Sequence, residues 1–329
     1  MTELAKRIDI IGADVGSTHI VIAWADASRP VQTIANNRRA ILAWLKHVPV
    51  ETVIGMEATG HYHQLLADCA AARGHVVYVV NPKHLANYAK GVGQRGKTDP
   101  LDAQTIARYI DRERDQLYPY RVPTACQRTL RQLLSERVSV VKHGQAIRQS
   151  LKATGMAGSN VLKDARQQTL QQLQVLIDTL DAELKQVMAA NAALEAKRLR
   201  LQTIVGVGFL NSIALTHRLD RTPFANSDAL VAAYGLDPRP KESGHRVGKR
   251  KLTKEGNPED RRLIYLAAQS AVKTKTFNPL YQTLLAKGFK TTQAIVIIAR
   301  KLLRIAFAIW TSNSSFDPTQ IGKQGCKKP

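Results

Sequence analysis

Four acidic side chains near the front of the chain are the residues best suited to chemistry. They are Asp14 in Ile-Ile-Gly-Ala-Asp-Val-Gly, Glu57 in Gly-Met-Glu-Ala-Thr-Gly, and Asp99 and Asp102 in Lys-Thr-Asp-Pro-Leu-Asp-Ala. Carboxylates are the hard oxygen ligands that Mg²⁺ or Mn²⁺ takes, and metal-assisted phosphoryl transfer needs several of them converging from separate elements. The chain that carries them has a formal net charge of +22, so a phosphodiester held on a basic surface would complete the coordination shell. Far behind them, Ser243 stands in Arg-Pro-Lys-Glu-Ser-Gly-His-Arg-Val-Gly-Lys-Arg-Lys. A serine hydroxyl is a weak nucleophile unless a base takes its proton or a metal polarises its target. This loop offers cations and no evident local base, so activation of Ser243 would have to come from the carboxylate cage. Arg246, Lys249, Arg250, Lys251 and Lys254 would neutralise phosphates without reading base sequence.

Each of these residues also has a plainer reading. Asp14 ends a buried type of strand, where a lone carboxylate is costly, and Asp9 on the same strand competes for the role. Asp99 suits a helix N-cap, and acids in a first helical turn are favoured by the macrodipole. Ser243 beside Gly244 would serve equally in a solvated loop. His61 and His63, close to Glu57, are read as caps of the following helix. It is the set of four acids on one α/β frame that favours catalysis.

The elements that must position these residues read as follows. Residues 8–13, 19–25 and 31–35 are β-branched strands around a tight Gly16-Ser17 turn. A helix over 38–47, a strand over 52–56, a helix over 61–73, a strand over 76–80 and a helix after Pro82 follow. Strands that first pair locally and then alternate with helices predict a mixed α/β sheet. Asp99 and Pro100 then open a further helix. From residue 124 to 201 the composition is helical, with a break near Gly155 and Gly158. The second of these helices repeats Leu170, Ile177, Leu184 and Asn191 in one heptad register and Leu173, Leu180, Val187 and Leu194 in the other. That pattern fits a self-pairing coiled coil aligned by Asn191, or a helical hairpin within one chain. Val205-Gly-Val-Gly208 resembles a helix-hairpin-helix turn, residues 237–258 form a loop rich in Gly, Pro and Lys, and apolar helices cover 261–273 and 292–311.

Composition narrows the function class. With 329 residues and 44% hydrophobic content, the chain can build two or three cores. Residues 1–120 carry 14 basic and 12 acidic side chains, residues 121–200 carry 13 and 6, and residues 201–329 carry 21 and 8, so the positive charge lies behind the carboxylates. Aromatic content of 5% argues for backbone clamping over base stacking. Three scattered cysteines support neither a disulfide framework nor a zinc site and fit a reducing cytoplasm. No signal peptide or membrane span is expected.

Together, Asp14, Glu57 in Glu-Ala-Thr-Gly, Lys97-Thr-Asp-Pro-Leu-Asp-Ala and Glu242-Ser-Gly-His resemble the transposases of the IS110 family, which include the Piv-type DNA invertases. The resemblance runs from about residue 8 to residue 312. It implies an α/β RuvC-like domain of ribonuclease H fold over 1–120, in which Asp14, Glu57, Asp99 and Asp102 bind Mg²⁺. It implies a central helical coiled coil for oligomerisation over 121–200 and a mainly α-helical C-terminal transposase domain over 201–312, with Ser243 as nucleophile. Residues 313–329 are expected to be a disordered tail. The resemblance further implies cutting and rejoining of donor and target DNA through a phosphoserine intermediate, guided by a structured non-coding RNA from the element. The protein would act as a homo-oligomer, a dimer or tetramer, at the nucleoid in a bacterial cytoplasm. The rival readings are a RuvC-like junction resolvase or nuclease without a covalent intermediate, a phosphotransferase of actin-like fold, and a non-catalytic nucleic-acid-binding protein.

Overall fold

The computed structural model describes residues 8–26, 29–94, 96–153, 160–239, 242–243, 246–247 and 251–321. The chain separates at Pro123 into two compact units. The first opens with β1 (Ile10–Val15), β2 (His19–Trp24) and β3 (Gln32–Ala35), continues through α1 (Arg38–Leu45), β4 (Val53–Glu57), α2 (His63–Ala72), β5 (Val76–Val80) and α3 (Pro82–Gly91), and closes with α4 (Asp99–Glu113). The sheet order is β3-β2-β1-β4-β5. The β1–β2 and β2–β3 pairs are antiparallel, whereas β1–β4 and β4–β5 are parallel. This is the mixed sheet expected of local hairpins followed by strand–helix alternation.

Both faces of the sheet are covered, which explains why its central strands are apolar without alternation. Ile11, Ala13 and Val15 pack with Ile41 and Trp44 of α1 and Leu66 of α2. On the other face, Ile10 and Val53 pack with Ile106 and Ile110 of α4. Helix α4 buries Ala103, Ile106, Ala107 and Ile110, one stripe at helical spacing. It reaches the sheet at two glycines. A Cβ on Gly12 would stand 2.1 Å from the Ala103 carbonyl oxygen, and one on Gly55 would stand 2.3 Å from Ile110 Cγ1. These glycines are register partners on β1 and β4.

The second unit begins with two long helices, α5 (Ala125–Ala153) and α6 (Asn160–Ala189). They form an antiparallel hairpin within the chain. Arg137 donates to both oxygens of Asp181 at 2.6 and 3.0 Å, and Gly144 of α5 faces Leu170 and Leu173 of α6. The heptad leucines within α6 therefore face α5, and Asn191 is not among them. It lies beyond the end of α6 and caps α7 (Ala192–Gln202), its Oδ1 accepting from the Leu194 N–H at 3.1 Å. The seven-residue pattern runs on across the break between α6 and α7, and a cap Asn and a heptad Asn look alike in sequence.

The remaining elements are α8 (Phe209–Arg221), α9 (Ser227–Ala233), β6 (Pro238–Arg239), β7 (Glu242–Ser243), β8 (Arg246–Val247), β9 (Lys251–Leu252), α10 (Pro258–Ala271), α11 (Asn278–Ala286) and α12 (Thr291–Ser312). These helices share one core, and the short strands lie between α9 and α10. Helix α12 lies at the centre, with Ile298, Ala299, Leu302, Leu303 and Ala306 fully buried. Two more expectations are corrected. The segment after α12 is packed through Ile321: the Phe316 N–H donates to Thr203 Oγ1 at 2.9 Å and its ring stacks on Phe277. Residues 322–329 lie outside the described residues. The loop of residues 237–258 also carries short ladders, because β6 pairs with β9 and β7 pairs with β8.

Candidate active site

On β1, Gly12 precedes Asp14 by two residues, and on β4 Gly55 precedes Glu57 by two. Side chains alternate along a strand, so both carboxylates project to the face that α4 contacts at the glycines. The β1–β4 register pairs Ala13 with Met56. Asp14 and Glu57, one residue further along, thus end neighbouring parallel strands side by side. Ala103 of α4 rests on Gly12, which brings Asp102, the preceding residue, to the same strand ends. Three of the four predicted acids are gathered by one packing contact.

Their electrostatics agree with that placement. Burial pushes the Asp14 carboxyl above its ordinary value, the charges of Asp99 and Asp102 push it further, and Lys97 and His19 oppose them. Burial also raises Glu57, Asp14 adds to this, Lys97 opposes it, and Asp102 adds a smaller push. Neighbouring half-buried carboxylates repel, and a divalent cation among them would cancel that repulsion. A donor set made of carboxylate oxygens is what Mg²⁺ takes, so the residues fit such an ion. Among the described residues, no three candidate ligands are already close enough to hold one. Binding would require the side chains to close in.

Asp99, whose charge also raises Asp14, is more exposed than the other three. It is the first residue of α4, the cap position falls to Thr98, and no side-chain capping bond forms there. The capping explanation for Asp99 therefore fails. Its exposed carboxylate instead faces His19, with Nε2 to Oδ2 at 3.4 Å, and the other ring nitrogen of His19 lies 3.1 Å from Thr18 Oγ1. Asp9, the competitor of Asp14, accepts two bonds from Arg29 at 3.2 Å. Neither His61 nor His63 is the cap residue of α2, which is Tyr62, and Tyr62 makes no side-chain capping bond. His63 is buried as the first residue of that helix.

Residues without an assigned role also enter the site. Gln94 donates from Nε2 to Asp102 Oδ1 at 3.2 Å and to the Gly96 carbonyl at 3.0 Å, and accepts from Thr105 Oγ1 at 2.6 Å. Asn36 donates to the Gly16 carbonyl at 2.8 Å and the Tyr62 carbonyl at 3.3 Å, joining the segments that follow Asp14 and Glu57. The sequence signal that could have located the cage is the repeated Gly-x-acid at Gly12-Ala-Asp14 and Gly55-Met-Glu57.

In the second unit, the Ser243 backbone pairs with Arg246 across β7 and β8. The neck below them is tightly built. Pro238 pairs with Leu252 and Arg239 with Lys251, the Thr253 hydroxyl donates to Asp237, and the Lys254 N–H donates to the Gly235 carbonyl at 3.1 Å. Gly235 needs its positive φ of 63° and its missing side chain, since a Cβ would stand 2.1 Å from the Glu255 carbonyl oxygen. Lys251 and Lys254 are exposed. Arg246 contributes backbone to β8, whereas Lys249 and Arg250 lie outside the described residues. Among the described residues, no helix is long and apolar enough to cross a membrane.

A family model described as a transposase, the DEDD type of IS110 elements, matches residues 11–154. A second, described as the transposase IS116/IS110/IS902 family, matches residues 198–282. The pilin gene-inverting protein of Moraxella lacunata is 28% identical to the chain, the alignment covering 87% of this chain and 90% of that protein. The transposase for insertion sequence element IS1111A of Coxiella burnetii is 26% identical, over 94% of this chain and 92% of its own length.

Proposed function

The chain belongs to the IS110 family of transposases and is a DNA transposase or recombinase, and from that premise we propose that it cuts and rejoins DNA through Ser243 with the help of a carboxylate-bound Mg²⁺. The matched amino-terminal region implies a RuvC-like fold, with which the mixed five-stranded sheet agrees. The observation that carries the proposal is the convergence of Asp14 and Glu57, from adjacent strand ends, with Asp102 from the first turn of α4. Asp14, Glu57 and Asp102 would hold the ion, and Asp99 would join them from its place beside His19. When bound, the cation supplies Lewis-acid polarisation of the phosphodiester and stabilises the charge that develops on its oxygens.

The side chains then have distinct tasks. The half-buried carboxylates form a negative site that a phosphate can approach only when a cation neutralises it. The Ser243 hydroxyl attacks phosphorus, an Oγ–P bond forms as one backbone P–O bond breaks, and the departing deoxyribose oxygen takes up a proton. Reversal of that step with a second strand's hydroxyl rejoins DNA without an external energy source. Arg246, Lys249, Arg250, Lys251 and Lys254 would grip phosphates beside the serine. The neck at Gly235 and Thr253 supports this reading, because it fixes the base of the serine loop.

The same family reading extends to partners. The pilin gene-inverting relative is named for a DNA inversion, and this chain is proposed to act on donor and target DNA, in transposition or inversion, at the bacterial nucleoid. A structured non-coding RNA from the element would choose the target. Self-association as a dimer or tetramer is proposed through the outer face of the α5–α6 hairpin, where Val161, Val175 and Leu176 are exposed. The test uses Asp14→Asn and Asp102→Asn, with supercoiled DNA carrying the sequences that flank the gene, RNA transcribed from them, and Mg²⁺. Both variants should keep salt-sensitive DNA binding and lose strand cleavage. Cleavage at the wild-type rate by either variant would refute the cage.

A further inference from the structure

A metal-ligating carboxylate works only if its oxygens are held in place, and Asp102 is held by a residue outside the acidic set. Gln94 lies in the connection between α3 and α4, eight residues before Asp102. Both N–H bonds of its amide are used, one on Asp102 Oδ1 at 3.2 Å and one on the Gly96 carbonyl at 3.0 Å. Its oxygen accepts from Thr105 Oγ1 at 2.6 Å. Thr105 follows Asp102 by three positions on α4 and so shares its face of the helix. The hydroxyl donor on one side and the carboxylate acceptor on the other fix which end of the amide is nitrogen. Gln94 is therefore clamped from two sides, and its donation occupies one oxygen of Asp102 while leaving Oδ2 available to a cation.

We propose that Gln94 is a positioning residue for the metal site, acting through Asp102, with Thr105 locking its amide. The proposal rests on the reading of Asp14, Glu57 and Asp102 as ligands and goes beyond it by assigning the support that orients one of them. Outer-shell partners that orient a ligand commonly affect metal affinity by about 10- to 100-fold. Gln94 thereby ties the connection before α4 to that helix at Thr105 and to the cage at Asp102.

The test is direct Mn²⁺ titration of metal-free, full-length protein by calorimetry, with thermal melting in EDTA as the control for folding. Gln94→Met keeps volume and removes all three hydrogen bonds. It should bind Mn²⁺ roughly tenfold or more weakly and raise the Mg²⁺ concentration needed for half-maximal cleavage by a similar factor. Thr105→Val should weaken Mn²⁺ binding in the same direction but less, and Thr105→Ser should restore it. The double variant should be no worse than Gln94→Met alone, because both act through one chain of contacts. Wild-type affinity in folded Gln94→Met overturns the proposal. If Gln94→Met does not fold, unchanged affinity in Thr105→Val overturns it instead. Mn²⁺ binding lost in Asp14→Asn but kept in Gln94→Met sinks the role of Gln94 and spares the cage. Failure of the wild type to take up Mn²⁺ sinks the cage and the proposal with it.

Discussion

A carboxyl group whose pKa rises on folding opposes folding whenever it is ionised. Asp14 is such a group, raised from 3.8 first by burial and then by Asp99 and Asp102. Its favourable contribution belongs to the protonated form, is complete below the unfolded value, and is lost as pH rises through the higher folded value. In EDTA at neutral pH, Asp14→Asn should therefore melt higher than the wild type, with the gain fading towards pH 3.8. Mn²⁺ should raise the melting temperature of the wild type and leave the variant unchanged. A variant that melts lower in EDTA would show that favourable contacts hold the carboxylate. His217 gives the opposite sign. Burial lowers its pKa from 6.5 to about 4, and Arg218, Arg131 and Arg221 add to this against a backbone contact at Gln127. Stability should be full above pH 6.5 and fall as pH drops towards 4. The loss is at most about 3 kcal/mol, and less because the ring is only partly covered. His217→Gln should flatten that slope in urea unfolding at two pH values. The acids themselves were legible, since carboxylates at the ends of apolar strands stand out. The fate of the competing Asp9 was not, because it depends on Arg29 reaching back to it. Nor was Gln94, whose contact forms only when the chain folds back between two helices.

Among the elements, α4 does most to assemble the site, and it reaches the sheet only because Gly12 and Gly55 have no side chains. Gly12→Ala sets a Cβ against backbone that cannot move aside. It should cost about 1–3 kcal/mol in urea unfolding and reduce cleavage further than that loss explains, because Asp102 shifts with the helix. Gly55→Ala meets the Ile110 side chain, which can change rotamer, and should be milder in both assays. Equal effects would mean that α4 does not need its close approach at Gly12. Strand positions were legible because β-branched runs mark them, the start of α4 because Pro100 marks it, and the seven-residue repeat was equally clear. A repeat records that a helix has an apolar stripe, not which helix covers it. Here the partner is α5, and Asn191 belongs to the next helix as its cap. Asn191→Ala should cost about 1 kcal/mol and leave the solution mass unchanged in sedimentation. A change of mass would return Asn191 to an aligning role between chains.

For the whole molecule, charge and chemistry are distributed unequally along the chain. The first 120 residues are nearly balanced, with 14 basic and 12 acidic side chains, while the residues after 200 carry 21 and 8. DNA affinity should fall steeply with salt, and Lys251→Ala and Lys254→Ala should each reduce the log–log slope by about 1 if each neutralises one phosphate. Asp14→Asn should leave that slope alone. Under the proposed function, the carboxylates of the first unit would hold a cation and the second unit would supply a nucleophile and phosphate grip. The central claim is that the cut passes through Ser243, and the most direct measurement is mass spectrometry of the protein after reaction with DNA, guide RNA and Mg²⁺, followed by nuclease trimming. A nucleotide attached at Ser243 is expected in the wild type and absent from Ser243→Ala and Asp102→Asn. An adduct that persists in Ser243→Ala, or strand cleavage by the wild type with no adduct at all, would contradict a serine recombinase.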